Sequence, residues 1–448
     1  MIEERFGRLT DAPASFVLVG ARVIDPADGS DSIRDLGIRD GELVDPTSAG
    51  GERIDGRGLV AAPGLCDLHA HLREPGNDGA ETSESGARAA ARGGFTTVCA
   101  MPNTDPPLDD ARLVGDLVAR AADAACRVRF IGAATRGRAG EEPSDLEALA
   151  AAGVVAVSDD GTGIPTEPLA RTILERLARL GLPLVEHAED ASLARDAVMR
   201  IGPVASRLGL RGWPPEAESS VVERDLRLAE QTGARVHLTH VSTASSVEAV
   251  RRARARGLPV TCDVTPHHLA MTDAWVAGSR RFAWEADDTP GTTDLAYDGT
   301  TRVSPPLATR EDAAALAAGI ADGTIDAIAT DHAPHPPQRK LVPFAEAAPG
   351  LIGLETALSL GLAAVEAGRL RLPALLAALT ANPARIIGEE RRLAIGAPAD
   401  LVVFDPAARR VVEAVTLASA SSNTPLLGRE LPGVVRMTVA QGRITYRA

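Results

Sequence analysis

The sequence predicts an α/β protein, a (β/α)8 TIM-like barrel with a small β-sandwich built from the N- and C-terminal segments. Three observations predict this fold. Eight short β-type runs alternate with stretches of helical period in the middle of the chain, β-type runs occupy both ends, and the nine histidines lie at or near the ends of the central runs. We therefore expect residues 1–62 and 386–448 to form the β-sandwich and residues 63–385 to form the barrel.

The β-sandwich is indicated by apolar, β-rich runs that turn residues separate at both ends of the chain. R-D-G at 39–41 is a hairpin signal within the first of these ends. Since each terminal piece alone is small for a stable core, we expect the two ends to pair into one unit. The runs are FVLVGARVID (16–25), SIRDLGIRDGELVD (32–45), GLVAAPG (58–64), RLAIGAPADLVVFDP (392–406), ARRVVEAV (408–415) and GVVRMTVAQGRITYR (433–447).

The barrel is indicated by eight apolar runs, most of them followed by a helical stretch such as SESGARAAARG (83–93), PLARTILERLARLG (168–181) or SVEAVRRARARG (246–257). Continuous apolar strands favour a buried parallel sheet, and a count of eight favours its closure. The alternative, an open doubly wound sheet, is disfavoured because no G-x-G-x-x-G follows the first run. The runs are GLCDLHAH (64–71), GFTTVCAMPN (94–103), RVRFIGAAT (127–135), VVAVSDD (154–160), PLVEHAED (183–190), RVHLTHVST (235–243), PVTCDVTPHH (259–268) and DAIATDHAPH (326–335).

Composition excludes several classes of protein. With 45% hydrophobic and 24% charged residues, the chain has the balance of a globular protein, and no run of 18 apolar residues predicts a membrane span. The charged opening MIEERFGRLTDAPAS lacks an apolar centre, so we expect no signal peptide. A net charge of −14 disfavours nucleic-acid binding. The four cysteines form no C-x-x-C pair, which is typical of reduced thiols, and we expect a cytoplasmic protein.

The sharpest local signal is D-L-H-A-H at the end of the first central run. Alternate residues of a strand share a face, so Asp67, His69 and His71 can all point into the mouth of the barrel. Two imidazoles at this spacing can bind one metal ion, with the carboxylate as an orienting group behind them. Two connections, 190–217 and 270–303, are too long for simple loops and are candidates for functional lids or disordered inserts.

Further candidate ligands follow other strands and complete a set of four imidazoles and two carboxylates. This set exceeds the three protein ligands of one catalytic zinc and suits a two-metal site that hydrolyses amides, ureides or phosphoesters. No phosphate-binding glycine loop is evident, which favours amide chemistry. We assign Asp159 to a turn and His237 to packing, and His267, His268 and His332 stay open between outer and structural roles. The set is His69, His71, Asp160, His187, His240 and Asp331.

These residues and their surroundings resemble the amidohydrolase superfamily and, within it, the type I dihydroorotases. H-L-R-E-P-G and A-M-P-N-T are specific to the group of dihydroorotases, hydantoinases and allantoinases, and the resemblance covers nearly the whole chain. The matching stretches are DLHAHLREPG (67–76), AMPNT (100–104), SDDG (158–161), HAED (187–190), HVST (240–243), DVTPHHL (263–269), DHAPH (331–335), APGLIGLETAL (348–358), GAPADLVVFD (396–405) and SNTP (422–425).

The resemblance implies a metal centre. Many relatives bridge two ions with a carboxylated lysine, but the only lysine of this chain is Lys340, after the eighth run and not at the fourth. Type I dihydroorotases have an aspartate there, which corresponds to Asp160. Two Zn²⁺ ions per chain, bridged by Asp160 and a hydroxide, are thus implied. Their ligands would be His69, His71, Asp160 and Asp331 for one ion, and Asp160, His187 and His240 for the other.

The resemblance also implies a substrate site. Asp331 would carry a proton between the hydroxide and the ring nitrogen, and the backbone around Gly350 would contact the ring. Arg73, Asn103 and His335 would bind the substrate carboxylate. One departure concerns Ser304, since the family has asparagine at this substrate contact, and a second is the long connection 270–303.

The implied activity is dihydroorotase, the interconversion of N-carbamoyl-L-aspartate and L-dihydroorotate in pyrimidine synthesis. Two alternatives stay open: another cyclic amidohydrolase (allantoinase or hydantoinase), or an inactive homologue that scaffolds aspartate carbamoyltransferase. We expect a small-molecule substrate, no nucleic-acid or membrane partner, a homodimer and a complex with aspartate carbamoyltransferase, although the sequence alone leaves the oligomeric state open.

Overall fold

The computed structural model of the chain describes residues 4–286 and 291–448. Its described N-terminal part is a run of six strands, two of which have ten residues each. Asp40 and Gly41, which have φ of 51° and 82°, make the hairpin turn between β3 and β4, as R-D-G predicts. The strands are β1 (Arg5–Phe6), β2 (Phe16–Asp25), β3 (Ser30–Arg39), β4 (Glu42–Val44), β5 (Glu52–Asp55) and β6 (Val60–Pro63).

The central part contains ten strands, eight of which form a parallel sheet in the order in which they follow one another along the chain. The other two, β12 and β13, pair with each other inside the connection 190–217. The strands are β7 (Leu65–Ala70), β8 (Phe95–Ala100), β9 (Arg127–Ala133), β10 (Ala156–Ser158), β11 (Leu184–Glu186), β12 (Met199–Arg200), β13 (Gly212–Trp213), β14 (Val236–Leu238), β15 (Val260–Val264) and β16 (Ala327–Ile328).

The parallel sheet closes between its first and last strands. Ala70 forms a parallel bridge with His332, and the His71 N–H donates to the His332 carbonyl at 2.8 Å. Below this bridge, the Asp67 carboxylate accepts from the Thr330 N–H at 2.8 Å and from its hydroxyl at 2.6 Å. The predicted barrel is therefore confirmed, and each of its eight strands lies within a predicted run.

Helices follow the barrel strands at the predicted places. α2 shows why: the Thr82 hydroxyl caps its first turn by accepting from Ser85 N–H at 3.1 Å, and Gly94 ends it with φ of 93°. Buried alanines line the face that packs on the strands. The helices are α1 (Pro46–Ala49), α2 (Ser83–Gly93), α3 (Ala111–Arg120), α4 (Leu146–Ala151), α5 (Glu167–Leu180), α6 (Ala191–Ala194), α7 (Pro203–Leu208), α8 (Glu216–Thr232), α9 (Ala244–Ala255), α10 (Pro266–Ala270), α11 (Arg310–Ala321), α12 (Pro337–Lys340), α13 (Ala357–Glu366), α14 (Leu372–Leu379) and α15 (Ala381–Ile386).

The C-terminal strands are β17 (Leu401–Val411), β18 (Glu430–Ala440) and β19 (Arg443–Arg447), and they join the N-terminal strands in one nine-stranded sheet. β17 pairs antiparallel with β6, which confirms that the two ends build one unit. Phe16 and Ile38 of the N-terminal strands and Leu401 and Val439 of the C-terminal strands belong to one buried apolar cluster. The predicted limits 62/63 and 385/386 stay a prediction.

One predicted strand differs. The stretch 408–415 does not form a strand of its own, because β17 continues to Val411 through a register shift between Asp405 and Arg409. Pro406, which has no N–H to donate, lies in this shift, and the Asp405 carboxylate accepts from the Ala407 and Ala408 N–H groups instead.

The two long connections carry ordered structure. The first holds α6, α7 and the β12–β13 pair. In the second, Trp275 is fully buried and packs with Phe282 in an apolar cluster beside α13, while residues 287–290 lie outside the described part. Their role as lids stays a prediction. Within the described residues, no helix has the length and apolar character needed to cross a membrane.

Candidate metal centre and substrate pocket

The six predicted ligands meet at the carboxyl end of the barrel. Five of the barrel strands contribute to this cluster, and all six side chains are buried. His69 lies in β7 with His71 just beyond it, Asp160 follows β10, His187 follows β11, His240 follows β14 and Asp331 follows β16. The carboxyl ends of parallel strands are where barrel active sites form.

The first cluster contains two imidazoles and two carboxylates. His69 Nε2 lies 3.3 Å from His71 Nε2 and 3.4 Å from Asp160 Oδ1. Asp331 Oδ1 lies 3.1 Å from His71 Nε2 and 3.5 Å from His69 Nε2. His71 Nε2 also lies 3.7 Å from Asp160 Oδ2, so both imidazoles lie near both carboxylates.

The second cluster shares Asp160 with the first. His187 Nδ1 and His240 Nε2 are 2.9 Å apart, and they lie 3.6 Å and 3.7 Å from Asp160 Oδ1. The donor atoms of His69, His71 and Asp160 lie within 4.8 Å of one another, as do those of Asp160, His187 and His240. Asp160 is therefore placed to bridge two ions.

The donor set fits divalent zinc. Two atoms that each lie about 2.0–2.2 Å from one tetrahedral Zn²⁺ are roughly 3.3–3.6 Å apart. The distances between neighbouring donors in both clusters, 2.9–3.7 Å, lie close to this range. Imidazole nitrogens and carboxylate oxygens are also ligands that zinc accepts.

Within the cluster, the charges of the histidines and the aspartates shift each other's pKa values. Burial would raise the pKa of Asp160, but the charge of His69 and the contacts with His187 and His240 hold it well below its usual range. Burial likewise opposes the His69 cation, yet Asp160 and Asp331 raise the pKa of His69 to about 9. The pKa of Asp331 is lowered because His69 and His71 outweigh its burial. Both carboxylates are ionised and can act as ligands.

Two of the candidate ligands adopt an unusual backbone conformation. His240 has φ of 40° and Asp331 has φ of 46°, in the left-handed region that residues other than glycine rarely occupy. Such strain persists only where surrounding contacts enforce it, and it concentrates at functional sites. For His240 the enforcing contact is its N–H, which donates to Asp263 Oδ1 at 2.7 Å.

Behind His69 lies a hydrogen-bond chain that the sequence did not reveal. His69 Nδ1 bonds Thr239 Oγ1 at 2.8 Å, and Thr239 donates to Asp263 Oδ2 at 3.1 Å. Asp263 Oδ2 also bonds His237 Nε2 at 2.8 Å. His237 is therefore packed within β14, as predicted. Asp67, expected behind the imidazoles, instead contacts Thr330 and the His69 N–H.

Asn103 hydrogen-bonds both a candidate histidine ligand and a candidate aspartate ligand. Its Oδ1 lies 2.8 Å from His71 Nδ1, and its Nδ2 donates to Asp160 Oδ2 at 3.0 Å. These bonds fix which ring nitrogen of His71 faces the cluster. Both ends of the Asn103 amide are hydrogen-bonded, to His71 and to Asp160. Its predicted contact with a substrate carboxylate stays a prediction.

The remaining candidate histidines divide clearly. His268 bonds Thr265 and the Pro305 carbonyl, and His332 Nε2 lies 3.2 Å from Glu81, so both are held structurally. His267 is buried, and neither of its ring nitrogens has a hydrogen-bond partner among the described residues. Asp159 accepts from the Thr135 N–H at 3.0 Å and turns away from the ligands.

A cavity of about 240 Å³ adjoins the cluster. Its wall includes five of the six candidate ligands and every residue predicted to touch substrate, which are Arg73, Asn103, Ser304, His335 and Gly350.

The same cavity also has basic side chains in its wall. Arg73 Nη2 lies 3.3 Å from His335 Nε2, and Arg73 Nε donates to the Pro334 carbonyl at 3.1 Å. Burial lowers the pKa of Arg73 to about 10, so the guanidinium stays charged at neutral pH. Burial and the charge of Arg73 lower the pKa of His335 to about 3, so this imidazole is neutral. The cavity therefore offers the Arg73 guanidinium to an anionic group, and the exposed Arg339 also lines its wall.

A closed parallel barrel whose mouth holds two histidine pairs around an aspartate is the architecture expected of the amidohydrolase class. Comparison with known proteins narrows this further. A family model described as "Dihydro-orotase-like" matches residues 58–246, and one of the "Amidohydrolase family" matches residues 364–446.

Curated relatives match almost the whole chain. "Dihydroorotase" of Anaeromyxobacter dehalogenans (strain 2CP-C) is 46% identical over 95% of this chain and 96% of its own length. "Dihydroorotase" of Desulforapulum autotrophicum is 42% identical over 96% and 98%. The chain belongs to the dihydroorotase family.

Solved structures show the same fold at lower identity. L-hydantoinase (dihydropyrimidinase) from Arthrobacter aurescens superposes with a TM-score of 0.82 at 23% identity and covers 96% of this chain and 95% of its own. A D-hydantoinase gives a TM-score of 0.79 at 22% identity with the same coverage. At this identity the likeness concerns the fold.

Proposed function

We propose that the protein is a zinc-dependent dihydroorotase that interconverts N-carbamoyl-L-aspartate and L-dihydroorotate in cytoplasmic pyrimidine (UMP) biosynthesis. The observation that carries the proposal is that one cavity brings together the Arg73 guanidinium and a cluster of two histidine pairs around Asp160. Membership in the dihydroorotase family supports the same assignment.

Two zinc ions per chain would share Asp160, with Asp331 completing the site of His69 and His71, and with His187 and His240 holding the second ion. When bound, they would supply Lewis-acid activation of water near neutral pH. The chain contributes the arrangement: Thr239 and Asn103 fix the ring orientations of His69 and His71 by bonds of 2.8 Å each.

Asp331 is the proposed proton carrier. Its carboxylate is ionised at neutral pH and borders the cavity, so it can accept a proton from the attacking water at Oδ1 or Oδ2. It can then deliver this proton to the ring nitrogen that leaves when the cyclic amide opens. In the reverse direction, it removes the proton from the same nitrogen.

Arg73 is the proposed anchor of the substrate carboxylate. Its partly buried charge suits a charge-assisted pair, and its Nη2 lies 3.3 Å from His335 Nε2, which also lies 2.8 Å from the Pro349 carbonyl. Asn103, Ser304 and the backbone at Gly350 would complete the contacts. Ser304 offers one hydroxyl where the family has an amide, a change we expect to cost about 0.5–1.5 kcal/mol of binding.

The test compares kcat/KM for dihydroorotate, allantoin and hydantoin on one zinc-loaded preparation whose metal content is measured. We expect dihydroorotate to be preferred at least about tenfold, because a substrate without the carboxylate leaves a buried charge unpaired. Preference for hydantoin or allantoin would replace the substrate assignment, and absence of all activity in a zinc-loaded protein would favour the scaffold alternative. Chelation should abolish turnover, and zinc should restore it.

Two partner assignments belong to the same proposal. We propose a homodimer and a complex with aspartate carbamoyltransferase. Sedimentation of the protein alone and with that enzyme tests both, and a monomer that does not co-sediment with the carbamoyltransferase would refute them.

A further inference from the structure

Lys340, the only lysine of the chain, takes no part in the chemistry proposed above, yet it lies buried beside the cavity. It is the last residue of α12, and its side chain points into the protein, with 4% of the residue exposed. Its ammonium nitrogen donates to three backbone carbonyls: Ala348 at 2.6 Å, Gly350 at 2.8 Å and Arg302 at 3.3 Å.

These carbonyls belong to two segments that border the substrate cavity. Ala348 and Gly350 line it directly, and Arg302 lies two residues before Ser304, which also lines it. The Gly350 N–H donates to the Arg302 carbonyl at 2.8 Å, so the two segments also contact each other. Lys340 therefore holds the cavity wall from behind.

The geometry matches the charged form of the lysine. An ammonium group has three N–H donors, and three carbonyls accept from it, whereas a neutral amine can serve only two. Within the described ranges, no carboxylate lies within 4 Å of Nζ, so carbonyl dipoles alone solvate this charge. An unpaired cation next to a cavity favours an anion inside it.

The surroundings make this charge sensitive to pH. Burial and the charge of Arg302 lower the pKa of Lys340 to about 7, and Asp298 opposes them weakly. The charge of Lys340 also acts on His335, which is neutral because burial and the charge of Arg73 lower its pKa to about 3. Small changes of pH around neutrality therefore change the number of donors that hold the wall.

We propose that Lys340 is a positioning residue for the substrate carboxylate: its ammonium form fixes the segments at Arg302 and at Ala348–Gly350 in the binding geometry. This inference rests on the proposed function and names a residue through which that site acts. Substrate binding and protonation of Lys340 favour each other, because an anion stabilises the cation and the cation orders the wall.

Because the chain has one lysine, isotope labelling gives a direct measurement. In zinc-loaded protein made with [ε-¹³C]lysine, the Lys340 resonance is followed from pH 5.5 to 10, with and without saturating dihydroorotate. We expect a titration near pH 7 in the free protein and a midpoint raised by at least about one pH unit with ligand, which corresponds to a tenfold preference of the ligand for the protonated form. An unchanged midpoint overturns the proposal.

Kinetics of Lys340→Gln provide the second measurement, since this variant keeps an N–H donor and loses the charge. We expect KM for dihydroorotate at pH 6.5 to rise about tenfold while kcat changes less than about threefold. We expect KM of the parent to rise with pH above neutrality and this rise to flatten in the variant. Gln338→Ala, an exposed change on the same turn, should behave as the parent.

The outcomes separate the two proposals. A loss of kcat with unchanged KM, or a KM whose pH dependence survives in Lys340→Gln, overturns the role of Lys340. If dihydroorotate shifts the Lys340 titration midpoint in the parent protein but is never turned over, the proposed function alone is overturned.

Discussion

Replacing Asp160 and Asp159 by alanine, one at a time, tests the metal centre most sharply, because two adjacent carboxylates have unlike environments. Asp160 lies 3.4–3.7 Å from one nitrogen of each of four imidazoles. Asp159 points the other way, where it accepts from the buried Thr135 N–H at 3.0 Å and from the Thr135 hydroxyl.

The expected magnitudes follow from these contacts. Asp160→Ala leaves the second cluster with two ligands, fewer than the three of a catalytic zinc site, and weakens the first. Loss of a residue behind a ligand already costs about 10–100-fold in metal affinity, so loss of a shared ligand should exceed about 100-fold. Asp159→Ala should keep the metal but destabilise folding by about 1–3 kcal/mol, because buried Thr135 donors lose their acceptor.

The assay combines elemental analysis after dialysis, dihydroorotate turnover and urea unfolding on both variants. We expect Asp160→Ala to lose zinc and turnover, and Asp159→Ala to show a lower urea midpoint with near-parental zinc and kcat. The reverse ranking would refute the placement of Asp160 as the bridge.

Other positions give narrower expectations. Asp331→Asn should retain most of its zinc and lose nearly all turnover, since an amide offers an oxygen but cannot accept the proton; retained activity would move the base elsewhere. Arg73→Met should lower kcat/KM for dihydroorotate by at least about tenfold while hydantoin is little affected, and equal losses would show a merely structural Arg73. Thr239→Val should lower zinc affinity about 10–100-fold by freeing the His69 ring, and an unchanged affinity in competition with a chelator would contradict this.

The fold was predictable because it follows from local hydrophobic and turn patterns and from the count of eight apolar runs. The Asp40-Gly41 turn is set by two residues that accept positive φ, and the eight barrel strands lie within eight apolar runs. The stretch 408–415 was misread because Pro406 marks a shift within a strand and not its end.

The site was predictable where a ligand follows its own strand, and less so where contacts cross between strands. H-A-H at 69–71 predicts two ligands from the alternation of side chains along a strand alone. The bonds from His69 to Thr239 and from Asn103 to Asp160 depend on how neighbouring strands are staggered around the ring, which periodicity does not contain. The same holds for Lys340, whose acceptors lie up to 38 residues away along the chain.

The pairing of β6 with β17 has a consequence for how the protein is made. Val60 of β6 pairs directly with Phe404 of β17, so the first half of the sheet emerges from the ribosome long before its partner strand. At a synthesis rate of roughly 5–20 residues per second, one edge of β6 stays unpaired for tens of seconds until β17 is made. All four of its residues are buried and apolar in the finished protein. A chain interrupted before Leu401 therefore presents an open apolar strand edge, the kind of surface through which nascent chains associate with one another.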